Sequence, residues 1–146
     1  MFFEAAECVR HILIVEDEPL IGMALKNCFE RGGARVQWVK SDTAAQHALD
    51  TGDRPFDLLV LDVDLGPGST GFDVARYARR LNEDVGIIFS SGSPPDWLDI
   101  LGVAGAMFVP KPCTEAAMLT AAEIVCSGCS TAAPVAQTSS SSRSAA

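Results

Sequence analysis

The chain alternates short apolar runs with longer segments whose apolar residues recur at helical spacing. "HILIV" (His11–Val15), "DLLVLD" (Asp57–Asp62), "VGIIFSSG" (Val85–Gly92) and "AMFVPKP" (Ala106–Pro112) are compact runs bounded by polar or turn residues, and read as strands. "ARVQWV" (Ala34–Val39) alternates apolar and polar positions and reads as a fifth. Between them lie segments with helix punctuation. "PLIGMALKNCFERG" (Pro19–Gly32) has Pro in its first turn and Gly past its last. "SDTAAQHALDTG" (Ser41–Gly52) opens on a capping serine. "GFDVARYARRLN" (Gly71–Asn82) and the short "DWLDILG" (Asp96–Gly102) follow. "TEAAMLTAAEIVCSG" (Thr114–Gly128) closes the series, with Thr114 as its N-cap.

Five strand–helix units result. Strands buried on both faces and alternating with helices predict an α/β fold with a doubly wound, five-stranded parallel sheet. The strand order expected is 2-1-3-4-5, with the site where that order reverses, at the carboxyl ends of the strands.

Composition narrows the function classes. A chain of 146 residues, 48% of them hydrophobic, has room for one domain with one core. No apolar run reaches the roughly 18–20 residues needed to cross a bilayer. The start, "MFFEAAECVRH", has acids before any basic residue and makes a poor secretory signal, so a cytoplasmic location with no membrane partner is expected. The net charge of −8 and the lack of a Lys/Arg cluster argue against direct nucleic-acid binding. The densest basic group, Arg76, Arg79 and Arg80, reads as a solvated helix face. Five cysteines in a reducing compartment argue against a disulfide framework. The lone CxxC, Cys126 and Cys129, sits at the end of the last helix, and His11 and His47 lie far from it in sequence, so it reads as structural. From Ser127 onward the composition turns to Ser, Ala, Thr and Pro, and residues 127–146 are expected to form a disordered tail.

Polar residues gather at the strand ends. Glu16 and Asp17 follow the first strand, Asp62 ends the third, Ser90 and Ser91 end the fourth, and Lys111 ends the fifth. In a doubly wound sheet these positions share one edge. Carboxylates gathered without a partner would raise one another's pKa, which a hard divalent cation such as Mg²⁺ resolves. Mg²⁺ takes only one or two carboxylates, so one acid stays available to react. A lysine and a hydroxyl beside it complete a phosphoryl-transfer site with aspartate as nucleophile.

The same residues carry a family resemblance. "ILIVEDEPLI" resembles the acidic pair of the receiver domain of two-component response regulators, placing it at Glu16 and Asp17. "DLLVLDVDLGPGSTGFDVA" resembles the phosphoacceptor segment, with Asp62 as acceptor. "IIFSSG" resembles the segment whose first hydroxyl, here Ser90, contacts the phosphoryl group, and "FVPKP" the Lys-Pro signature, giving Lys111 and a candidate cis bond before Pro112. The resemblance covers about residues 10–126, with residues 1–9 an N-terminal extension. It implies a flavodoxin-like fold and a phosphorelay role. A sensor histidine kinase or phosphotransfer protein would supply phosphate to Asp62, and a downstream protein target would read it. Glu16, Asp17, Asp62 and the Asp64 backbone carbonyl would hold Mg²⁺. Ser90, Ser91 and Lys111 would bind phosphate, and Ser90 with Phe108 would form the switch. It implies no enzyme beyond self-catalysed transfer and slow self-dephosphorylation. The residues after the last helix are too few and too polar for an output domain, so a stand-alone receiver is expected. The departures are a Gly-rich loop after Asp62, Pro94-Pro95 at the fourth helix, and Phe108, which has no hydroxyl.

"LVLDVDLG" also resembles the DxD nucleophile motif of haloacid-dehalogenase-type phosphatases, in which Asp64 would be the acid–base. Motif order argues against this, because there the metal-binding acids follow the lysine. A nucleotide or flavin site would need a phosphate-cradling loop after the first strand, where this chain has "EDEP".

Overall fold

The computed structural model describes residues 10–65, 70–93, 100 and 102–127. Five strands, β1 (His11–Val15), β2 (Arg35–Val39), β3 (Leu58–Asp62), β4 (Gly86–Ser91) and β5 (Met107–Pro110), form one sheet in the order β2-β1-β3-β4-β5, with every pairing parallel. Four helices are described: α1 (Pro19–Arg31), α2 (Asp42–Thr51), α3 (Gly71–Leu81) and α4 (Glu115–Ser127). The helix expected over Asp96–Gly102 falls, apart from Ile100 and Gly102, outside the described residues. So do Pro94-Pro95, residues 1–9, Cys129 and the tail beyond Ser127.

Strand periodicity divides the core in two. Leu13, Val15, Leu59, Leu61, Ile87 and Phe89 point to one face and pack with α2 and α3. Ile12, Ile14, Leu58, Val60, Ile88 and Val109 point to the other and pack with α1 and α4. This two-sided burial explains why β1, β3 and β4 read as unbroken apolar runs. β2 lies at the sheet edge and is half-covered, which explains its alternation.

Helix ends follow the sequence signals. Pro19 opens α1. The Ser41 hydroxyl accepts the Ala44 N–H at 3.1 Å, and the Thr114 hydroxyl accepts the Ala117 N–H at 3.0 Å. The Thr70 N–H donates to the Asp73 carboxylate at 3.1 Å at the start of α3. The basic group on α3 is not simply solvated. Arg76 pairs with Asp73, and half-buried Arg79 donates through Nε to the Val85 carbonyl at 2.8 Å, tying the end of α3 to the entry of β4. Two glycines permit close approach. A Cβ at Gly71 would stand 2.5 Å from the Asp62 carbonyl oxygen, and one at Gly86 would stand 2.5 Å from Val125 Cγ1.

Candidate functional site

Sheet register builds the site. Val15 and Leu61 pair at the ends of β1 and β3, so Glu16 and Asp62 leave the sheet at the same level. Asp62 pairs with Ser90 across β3 and β4, and Ser90 pairs with Val109. Lys111 follows two residues later, its N–H donating to the Ser91 carbonyl at 2.9 Å. The bond between Lys111 and Pro112 is cis, as the Lys-Pro signature suggested.

The side chains converge. Glu16 is 2% exposed, Asp62 6% and the Lys111 side chain 17%. Lys111 Nζ lies 2.8 Å from Glu16 Oε1 and 3.3 Å from Asp62 Oδ2. Glu16 Oε2 accepts the Glu18 N–H at 3.1 Å, and Asp62 Oδ1 accepts the Asp64 N–H at 3.0 Å. Exposed Asp17 completes the group: Glu16, Asp17 and Asp62 each offer a carboxylate oxygen, and these lie within 4.8 Å of one another.

Electrostatics decides what such a group can do. Burial pushes the Asp62 carboxyl up to about 6, and the nearby Glu16 charge adds to that. The Asp64 N–H and Lys111 act the other way without cancelling it. Burial would lower the Lys111 pKa, but its hydrogen bond to Glu16 and the charges of Glu16 and Asp62 outweigh this and hold it above the ordinary value. One ammonium against three carboxylates leaves excess negative charge in a largely desolvated pocket. An all-oxygen, anionic donor set of this kind fits a hard divalent cation such as Mg²⁺.

Of the expected site residues, Glu16, Asp17, Asp62, Ser90 and Lys111 gather at this edge. Ser90 is buried and shares with Lys111 the wall of an apolar cavity of about 530 Å³ between α1 and α4. Ser91, expected to bind phosphate, also stands at this strand end and has partners within the chain. Its hydroxyl donates to Asp64 Oδ2 at 3.1 Å and accepts the Ser93 N–H at 3.1 Å. Strand alternation is the signal for its face, because neighbours in β4 point to opposite faces. Phe108 is half-buried, packs against the core on the α2/α3 side, and stands opposite Phe89 in the ladder. Sequence reasoning did not foresee the direct Glu16–Lys111 pair. It also missed the Trp38 indole N–H, which donates to the Glu16 carbonyl at 2.9 Å. Neither residue type nor spacing signals these.

Comparisons with known proteins agree with this geometry. The sequence matches the family described as "Response regulator receiver domain" over residues 12–123. It is 34% identical over 109 residues to the phyllosphere-induced regulator PhyR of Methylorubrum extorquens, covering 74% of this chain and 40% of that protein. It is 33% identical over 104 residues to the aerobic respiration control protein ArcA of Escherichia coli, covering 70% of this chain and 42% of that protein. The chain thus spans less than half the length of these relatives. Among solved structures, a response regulator receiver protein from Sinorhizobium medicae superposes with a TM-score of 0.77 at 26% identity, covering 83% of this chain and 97% of that one. A CheY-like receiver domain protein from Methanospirillum hungatei gives 0.76 at 19% identity, covering 84% and 97%, a likeness of fold. The phosphatase resemblance finds no support in these matches. Among the described residues no helix is long and apolar enough to cross a membrane. With its strand order, its acidic cluster and a family match over most of its length, the chain belongs to the response regulator receiver domain family.

Proposed function

We propose that this chain is the phosphoacceptor of a phosphorelay and that Asp62 is the residue that reacts. The observation that carries the reading is the Lys111 ammonium, 3.3 Å from Asp62 Oδ2, at the edge where Glu16, Asp17 and Asp62 bring three carboxylates together. Glu16, Asp17, Asp62 and the Asp64 carbonyl would hold Mg²⁺. When bound, the ion neutralises charge on the carboxylates and on phosphoryl oxygens. Asp62 ends a buried strand, so its backbone is held rigidly, and the Asp64 N–H and Lys111 Nζ engage its two carboxylate oxygens. A carboxylate oxygen attacks the phosphorus of a phosphohistidine, the P–N bond breaks, and an acyl phosphate forms while histidine leaves with the N electron pair. Lys111 and Ser90 then provide a charge and a hydroxyl for the new phosphoryl oxygens. Ser91, held by Asp64, steadies the loop after Asp62.

The donor is a sensor histidine kinase or a phosphotransfer protein, and the output passes by docking to a protein target or by onward transfer. The apolar cavity beside Ser90 and Lys111, with exposed Leu20 on its wall, gives such a partner a surface next to the reacting carboxylate. The chain acts on its own aspartate and slowly dephosphorylates itself, and is otherwise no enzyme. The receiver unit runs over about residues 10–126 and works in the cytoplasm.

Intact-mass measurement after incubation with acetyl phosphate and Mg²⁺ tests the assignment. One phosphate should add to the wild type, be lost at alkaline pH, and be absent from Asp62→Asn. Equal labelling of both proteins would move the chemistry away from Asp62, with Asp64 the next candidate.

A further inference from the structure

Glu16 enters the site on a main chain gripped from β2. Its N–H donates to the Val39 carbonyl at 3.0 Å, and its own carbonyl accepts the Trp38 indole N–H at 2.9 Å. Val15 and Val39 form the last rung of the β1–β2 ladder, so both bonds act one residue beyond the paired strands. The indole is itself seated. A Cβ at Gly22 of α1 would fall 2.1 Å from Trp38 Cε2 and 2.3 Å from Cζ2 and Nε1, so the ring lies directly on the helix backbone there. Lys40 Nζ stands over the ring, 5.4 Å from its centroid.

A half-buried aromatic at this place could merely fill the gap between α1 and β2. The direction of its N–H says more. The carbonyl it holds belongs to the peptide joining Glu16 to Asp17, and both carboxylates belong to the acidic cluster. Fixing that peptide plane restricts the two rotations on either side of it, ψ of Glu16 and φ of Asp17. These set where the Asp17 carboxylate points relative to Glu16. Freezing them in advance removes an entropy cost that cation binding would otherwise carry.

We propose that Trp38 is a positioning residue of the acidic cluster. Its indole, seated on Gly22, clamps the Glu16–Asp17 peptide and thereby tunes the affinity of Glu16, Asp17 and Asp62 for a divalent cation. The inference rests on the reading of this cluster as a divalent-cation site, and Trp38 acts on the cation through the acids, without contact.

Mg²⁺ titration of the full chain, followed by amide chemical shifts, tests it. Trp38→Phe keeps most of the ring and removes the N–H. Loss of one such hydrogen bond should weaken Mg²⁺ binding roughly three- to tenfold. Equal affinity in wild type and variant, with only a lower Tm in EDTA, would make Trp38 a filler and overturn the proposal. A second readout keeps Trp38 and so does not need the Trp38→Phe variant to fold. The Trp38 indole N–H resonance, distinguished from that of Trp97 in a Trp97→Phe protein, should move with Mg²⁺ at the same midpoint as the Asp17 amide. An indole signal unmoved at saturation would overturn the clamp. If the wild type binds no Mg²⁺, the metal reading itself fails, and the metal-free spectra judge the clamp. A displaced Glu18 amide in Trp38→Phe, reporting its bond to Glu16 Oε2, would retain it, and an unmoved one would overturn it.

Discussion

Asp62 is held in a state that a carboxylate avoids when it can. Its carboxyl is pushed from the ordinary value of 3.8 up to about 6 by burial and by Glu16, so the metal-free fold binds that proton more tightly than the unfolded chain does. Between those two values the native state carries more bound proton, so stability falls as pH rises through the window and levels off above it. Asp62→Asn removes the titration. In EDTA the variant should be more stable than the wild type at about pH 8, by on the order of 2 kcal/mol, and the gap should close toward about pH 4. Denaturant unfolding at the two pH values checks this. A gap that does not depend on pH would show that Asp62 carries no such strain. On the proposed function, the acid that reacts is thus kept under electrostatic stress, which a cation or a covalent phosphoryl partner would relieve.

Among the elements, docking rather than propensity fixes the geometry. Helix α4 reaches β4 because Gly86 has no side chain, and Val125 occupies the space that a Cβ would need. Gly86→Ala should therefore cost about 1–3 kcal/mol by overpacking. Gly92→Ala, where a Cβ meets nothing within 4 Å, should stay within about 0.5 kcal/mol of the wild type. Similar losses at both positions, measured by urea unfolding, would remove the packing explanation. The elements themselves were legible because their signals are local. Apolar runs, Pro19, Ser41 and Thr114 are read from a few neighbouring residues, and the parallel order follows from strands buried on both faces. Strand ends moved by a residue or two: β4 begins at Gly86 rather than Val85, and β5 stops at Pro110 rather than Pro112. The acids, Ser90 and Lys111 were legible because residues at strand ends inherit their meeting place from the topology. The features that escaped depend on contacts between distant parts of the chain. The Trp38–Glu16 bond spans 22 residues and leaves no mark in local pattern; the Ser91–Asp64 bond spans 27, and alternation along β4 gives the face of Ser91 but not its partner.

For the molecule as a whole, the proposed phosphorylation of Asp62 raises the question of how an event at one edge of the sheet would reach a surface that a partner could read. Ser90 stands opposite Asp62 on β4, and its other ladder neighbour is Val109 on β5. Phe89 and Phe108 are paired one rung below, and Phe89 packs on Phe72 of α3 with ring centroids 4.6 Å apart. A phosphoryl group on Asp62 that draws the Ser90 hydroxyl toward it would pull on β4. The neighbouring rung links that pull to half-buried Phe108, which has no hydroxyl and can respond only through packing. Close-packed cores change between discrete arrangements rather than deform smoothly, so the response should be a shift between two packings of Phe108. Beryllofluoride, as a phosphoryl mimic, should then move amide resonances across Ala106–Ala117 as well as around Asp62. Ser90→Ala should still accept phosphate from acetyl phosphate while the distant shifts shrink severalfold, because the acceptor and Lys111 remain and only the link is cut. Shifts confined to the Asp62 loop in the wild type would make this chain a phosphate carrier without a switch. Undiminished distant shifts in Ser90→Ala would route the coupling through Lys111 and the cis Lys111–Pro112 segment instead of β4.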